Sequence, residues 1–222
     1  MTQIDRYFKN SLDFPIPVLH LKFGEKIGTV AYDSSPNKNH GTIAGATWGK
    51  GILGPGLHCD GLNDGVQCPS ISAYDITDAI TLATWVYNRA LTGDANTIIG
   101  RWISSYWLYT VANEVVKHRL KTSTGIDDIA SDGGAFPNNE WHFTGMTYDK
   151  DGGEDNYKLY IDAAEEKSQT YTGAIEIDTG YTLKIGNLAA YDMYGIIDEV
   201  MVFNEALTAE QWRQLYLCYR LV

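Results

Sequence analysis

The stretch Gly195-Ile196-Ile197-Asp198-Glu199-Val200-Met201-Val202-Phe203 reads as a strand, and the residues after it, from Thr208 onward, read as a helix. β-branched and apolar residues dominate the stretch, as suits a half-buried pleated surface. Alternation puts Ile196, Asp198, Val200 and Val202 on one face, so a carboxylate is expected among apolar neighbours. An uncompensated carboxylate there would be costly, so Asp198 needs a partner. Downstream, Thr208-Ala209-Glu210-Gln211 is a capping box, with Thr208 as cap and Gln211 reaching back. Trp212, Leu215, Tyr216 and Tyr219 then share one helical face, which predicts a short C-terminal helix docked on a sheet.

Upstream, short apolar runs alternate with turn residues. Strands are expected over 18–23, 42–48, 56–60, 65–68, 81–87, 96–102, 106–112, 115–121, 140–148, 157–161 and 182–186. In 81–87, Leu82, Thr84 and Val86 oppose Ala83, Trp85 and Tyr87; in 157–161, Tyr157, Leu159 and Ile161 oppose Lys158 and Tyr160. Asn63-Asp64-Gly65, Asn113-Glu114 and Asp151-Gly152-Gly153 supply turns, the first as a hairpin. The fold class is all-β, a two-sheet antiparallel sandwich of jelly-roll type with one helix. Phe14-Pro15-Ile16-Pro17 blocks both helix and central strand, so residues 1–17 are read as an N-terminal arm and 18–222 as one domain. There is no low-complexity segment and no convincing internal repeat.

With 222 residues the chain buries roughly 70–75% of its unfolded surface and needs no staples. Three cysteines rule out a disulfide framework. Cys59 and Cys68 flank the expected hairpin turn and could face each other, although small buried apolar residues are the favoured reading. The 17 Lys and Arg against 28 Asp and Glu give a net charge of −11. That charge disfavours nucleic acid and anionic membranes as partners; it serves solubility, or some carboxylates hold a hard cation. No run approaches the ~20 apolar residues of a membrane span, so membrane insertion is not expected. Met1–Tyr7 shows no secretory signal, and there is no Asn-X-Ser/Thr sequon.

Four segments, in order, resemble the laminin G-like jelly-roll family of the concanavalin A-like lectin/glucanase superfamily. They are Tyr32-Asp33-Ser34-Ser35-Pro36-Asn37-Lys38-Asn39-His40-Gly41; Leu57-His58-Cys59-Asp60-Gly61, with Cys59 where the family has Phe; Trp141-His142-Phe143 through Thr147-Tyr148-Asp149 to Lys158-Leu159-Tyr160-Ile161-Asp162; and Gly195–Val200 through Asn204–Thr208. Their order and spacing extend the resemblance over 18–216. The resemblance implies two sheets packed face to face, one of them curved with a concave face. It also implies a structural calcium held by Asp33, Asp60 and Asp198 with carbonyls of the 33–40 loop. The alternative is that Asp198 accepts backbone N–H bonds and Asp33 forms an Asx turn. Function follows less directly, since the superfamily spans lectins, glucanases and adhesion modules.

Catalytic constellations are missing from the sequence. A glucanase on this fold needs two glutamates flanking an aspartate on one strand, and Glu176-Ile177-Asp178-Thr179-Gly180-Tyr181 lacks the second glutamate. Gly45-Ala46-Thr47-Trp48-Gly49-Lys50-Gly51 is one residue short of a phosphate loop. There is no Gly-x-Ser-x-Gly elbow, and His20, His40, His58, His118 and His142 lack metal-ligand spacing.

Sugars stack their C–H faces on aromatic rings and bond their hydroxyls to polar side chains. Arg101, Trp102, Tyr106 and Trp107, with Tyr109, cluster around the turn Ile103-Ser104-Ser105 and are the candidate carbohydrate site, the alternative being sandwich core. The expected function is a non-catalytic recognition module for a glycan or glycosylated surface, acting at the exterior of a virion or cell. The rival is a structural assembly protein, a virion or surface-decoration protein, whose arm hooks a neighbouring subunit or capsid partner.

Overall fold

A computed structural model describes residues 14–90, 95–101, 105–188 and 191–220. The chain forms β1 (Leu19–Leu21), β2 (Val30–Ala31), β3 (Gly41–Ala44), β4 (Thr47–Lys50), β5 (Pro55–Asp60) and β6 (Gly65–Gln67). It continues through β7 (Ala79–Asn88), β8 (Asn96–Arg101), β9 (Tyr106–Val111), β10 (Val115–Thr122) and β11 (Gly125–Ala130). Then come β12 (Trp141–Asp149), β13 (Tyr157–Ile161), β14 (Ala164–Gln169) and β15 (Lys184–Ile185). A small hairpin, β16 (Asn187–Leu188) and β17 (Tyr191–Asp192), precedes β18 (Tyr194–Phe203) and α1 (Ala209–Arg220).

The strands make two antiparallel sheets of eight. The first runs β14-β13-β12-β7-β18-β5-β4, with β1 also on β18; the second runs β11-β10-β9-β8-β15-β6-β3-β2. The jelly-roll sandwich expected from the sequence is what forms. Between the sheets lies the main core, which takes Leu82, Val86, Leu159, Val200 and Val202 from the first sheet and Leu108, Ile99, Ile185 and Val66 from the second. The alternation read in 81–87 and 157–161 holds, because Ala83, Trp85 and Tyr160 turn outward beneath α1. The capping box also forms: Thr208 N–H donates to Gln211 Oε1 at 2.8 Å and Gln211 N–H to Thr208 Oγ1 at 3.2 Å. Trp212, Leu215 and Tyr219 are buried on Trp85, Phe143 and Phe203.

Two expectations change. The run 42–48 is two strands in different sheets, broken at Gly45, whose φ of 72° and contact with Asp64 suit glycine alone. The turn at 63–65 closes no hairpin; it carries the chain from β5 in the first sheet to β6 in the second. Cys59 and Cys68 are therefore buried free thiols. Of the N-terminal arm, residues 1–13 lie outside the described residues. Phe14 is buried against Phe203 at 6.3 Å between ring centroids, so the described end of the arm is seated under α1.

Candidate functional site

The second sheet is organised by two neighbouring rows that cross it from edge to edge. The inner row, Ile129, His118, Leu108, Ile99, Ile185, Val66 and Ile43, follows direct cross-strand pairing and is buried throughout. One residue away in each strand, side chains must point to the opposite face. That outer row is Asp128, Arg119, Trp107, Gly100, Lys184, Gln67, Thr42 and Val30.

The outer row has distinct parts. At one end Arg119 makes a two-pronged bond to Asp128, Nε to Oδ1 at 2.7 Å and Nη2 to Oδ2 at 2.9 Å. Its guanidinium also lies 5.9 Å from the Trp107 ring centre. Trp107 stacks on Tyr109 at 3.7 Å and leans on Tyr191 at 5.2 Å, while its Nε1 donates to Thr97. In the middle, Gly100 leaves a dip. A Cβ there would sit 2.7 Å from Leu188 Cδ2 and 2.9 Å from Trp107 Cδ1, so only glycine lets the β16–β17 hairpin lie so close. Beyond the hairpin is a cavity of about 130 Å3, lined by Asn63, Gln67, Lys184 and Asn187.

The residues expected to bind carbohydrate divide between the two faces. Trp102 lies outside the described residues. Trp107 is on the outer face but only 4% exposed, already covered by Tyr109, Arg119 and Tyr191, so it backs a surface rather than forming one. Tyr106, its strand neighbour, must point inward, and it is 1% exposed in the main core. Arg101 pairs with Tyr106 across β8 and β9 and is likewise buried; its Nη1 donates to Tyr74 O and bridges to Asp75, both at 2.6 Å. Arg101 thus ties two loops together and Tyr106 fills core. These two expectations are corrected. Tyr191, half-buried above Trp107, was not anticipated, nor were Gln67, Lys184 and Asn187. A tyrosine just before an expected strand carries no sequence signal of a hairpin folded back over a sheet.

The calcium expectation meets a similar obstacle. Asp60 pairs in register with Tyr194, four residues before Asp198 along β18, a separation of about 13 Å by strand rise. Asp33 instead bridges to Leu21 beside β18. Its two oxygens accept N–H bonds from His20, Ser35 and Asn39 and the Ser35 hydroxyl, which is the Asx-turn arrangement. Asp198 accepts Ile52 N–H on Oδ2 and Glu199 N–H on Oδ1, each at 2.9 Å. Asp33, Asp60 and Asp198 are thus not gathered around one point, and no group of three metal-binding side chains occurs among the described residues.

The face of Asp198 also differs from the simple alternation. Glu199 takes φ of 51° in a bulge between Asp198 and Met201. Ile197, Val200 and Val202 consequently share the core side, and Asp198 lies with Ile196 on the other. Burial, reinforced by the neighbouring Glu199 carboxylate, pushes Asp198 up to about 8, against the pull of its backbone N–H donors. Glu199 itself takes the Tyr219 hydroxyl at 2.9 Å and lies 2.7 Å from His20 Nε2, joining β1, β18 and α1.

A family model for the concanavalin A-like lectin/glucanase superfamily matches residues 60–211. No curated protein matches the sequence. Among solved structures, the binding domain of Paraclostridial Mosquitocidal Protein 1 aligns with a TM-score of 0.75 at 14% identity, over 92% of this chain and 52% of that one. Domain 4 of AbnA, an extracellular arabinanase from Geobacillus stearothermophilus in complex with arabinotriose, aligns at 0.70 and 21% identity, over 92% and 100%. The botulinum neurotoxin serotype D ligand binding domain, in complex with N-acetylneuraminic acid, aligns at 0.67 and 16%, over 90% and 50%. The chain spans about half the length of the toxin domains, and these likenesses show a shared fold. Among the described residues no helix is long and apolar enough to cross a membrane.

Proposed function

We propose that this chain, which belongs to the concanavalin A-like lectin/glucanase superfamily, is a non-catalytic recognition module that binds carbohydrate on the outer face of its second sheet. The observation that carries this reading is the outer row. It sets a half-buried aromatic ring, Tyr191, on a stacked aromatic base, beside a recess whose side chains Asn63, Gln67 and Asn187 offer both hydrogen-bond donors and acceptors. Amides suit sugar hydroxyls, which also donate and accept, and a tyrosine face suits the C–H surface of a pyranose. The carboxylate on this face, Asp128, is held by both prongs of Arg119, an arrangement for rigidity rather than proton transfer. Solved neighbours in complex with arabinotriose and with N-acetylneuraminic acid support a binding module on this scaffold.

A glycan array probed with the full chain tests the reading. Binding to at least one glycan class is expected, and Tyr191→Ala and Gln67→Ala should each weaken it. The melting temperature should barely move for Gln67→Ala, an exposed position where substitutions usually stay within about 0.5 kcal/mol, while Tyr191→Ala also loses its packing on Trp107 and is compared by affinity of the folded protein. Absence of glycan binding, or binding indifferent to both substitutions, would overturn the proposal.

A further inference from the structure

We infer that the recess beyond the hairpin takes the end of a glycan that carries a carboxylate, with Lys184 as its counter-charge. This rests on the carbohydrate reading above and adds the ligand's chemical class.

The cations of this outer face differ in what holds them. Arg119 is locked to Asp128, and Lys121 meets Glu176 at 2.7 Å. Lys184 stands at the centre of the row, between Gly100 and Gln67, with no carboxylate partner among the described residues; Lys117 on β10 shares that lack but does not line the recess. The recess side chains around it are amides, Asn63, Gln67 and Asn187, and no acidic side chain lines it. In a chain of net charge −11, a lysine without a carboxylate partner in an amide-lined recess is a cation left available to an anionic ligand. The acids nearest it are already engaged: Asp192 accepts the Asn187 side-chain amide and fixes which way that amide points, and Asp64, between Asn63 and Gly65, accepts the Asp60 N–H on Oδ2.

Size narrows the ligand further. The recess, about 130 Å3, is smaller than the roughly 300–1,000 Å3 of clefts that enclose drug-sized ligands. It admits a terminal group, not an extended chain. An ammonium giving a charge-assisted bond to a carboxylate, with amides bonding the adjacent hydroxyls, describes the recognition of a terminal acidic sugar.

The test uses glucuronosyl- and sialyl-terminated oligosaccharides, each measured against its own methyl ester with the full chain. A charged hydrogen bond predicts that at least one acid binds roughly ten- to a hundredfold more tightly than its ester, with the preference shrinking as salt rises. Lys184→Gln should bring that ratio close to one, while Lys117→Gln, on the same face of β10, should leave it. Equal affinity for acids and esters overturns this inference and leaves the carbohydrate reading standing. A preference abolished equally by Lys117→Gln also overturns it, since diffuse charge would then be responsible. Failure to bind any glycan sinks both.

Discussion

On the first sheet the outward residues Trp85, Phe143, Tyr160 and Phe203 are roofed by α1, whereas on the second Lys184, Gln67 and Thr42 stand beside a two-stranded hairpin and meet solvent. Both faces begin as alternating strands over one shared core. The difference lies in what the outward positions carry. Aromatics that stack against a helix, such as Tyr160 on Trp212 at 4.6 Å, turn a face into a second core. A row broken by glycine and continued by lysine and amide cannot be covered without stranding polar groups, so it stays available for a ligand. In this molecule one face serves stability, and the other is the face proposed for recognition.

The largest expected effect is on the roofed face. Trp212 is fully buried, and its Nε1 donates to Asp162 O at 2.7 Å. Trp212→Ala should cost about 3–5 kcal/mol in chemical denaturation. A loss below about 1 kcal/mol would mean that α1 is a cover rather than core, and the contrast between the faces would collapse.

Next is the joint on which both faces depend. His118 lies in the shared core, where the Tyr157 hydroxyl from the opposite sheet donates to its carbonyl at 2.8 Å and sits 2.6 Å from its Nδ1. Burial pushes this imidazole down to about 3 from an ordinary value of 6.5. Below pH 6.5 the unfolded chain therefore takes up a proton that the folded chain refuses. The contribution is neutral above pH 6.5 and turns destabilising as pH falls toward 3, by up to about 1.4 kcal/mol per unit. Melting temperatures from pH 7 to 4 should fall less steeply in His118→Gln than in the parent; identical slopes would show that the imidazole is not buried in neutral form.

Smaller still is the effect of filling the dip. Gly100→Ala should crowd Leu188 and Trp107 and cost about 1–3 kcal/mol, with the change concentrated in Trp107 fluorescence. A neutral substitution would show that the hairpin does not rest on the sheet as described.

Much of the fold was legible because period-2 alternation survives in the central strands, and because the capping box with its aromatic stripe marks α1 without ambiguity. Three edge strands were not legible: β2, only two residues long, and two longer ones. Gly125–Ala130 is interrupted by Asp127-Asp128 and Ala164–Gln169 is largely polar, since each has just one neighbour in its sheet and little to bury. The bulge at Glu199 was invisible for a different reason: an inserted residue leaves composition unchanged while reversing the faces of everything on one side of it. The candidate site was legible only in part. Adjacent strand residues such as Tyr106 and Trp107 cannot share a face, and that rule alone separates core from surface there. The lysine, amides and tyrosine of the outer row come from β6, β15 and the hairpin, and only cross-strand registration brings them into one line.

The pairing of β1 with β18, Leu19 opposite Val202, has a kinetic consequence. β1 finds its partner only after β2 to β17 have been made, and β18 also separates β7 from β5. During synthesis the first sheet must therefore wait, open along its middle, until β18 has emerged. Closing so long a loop is slow for any chain. The protein should acquire its shape late and all at once, and the exposed middle of that sheet is where a chaperone would be needed most.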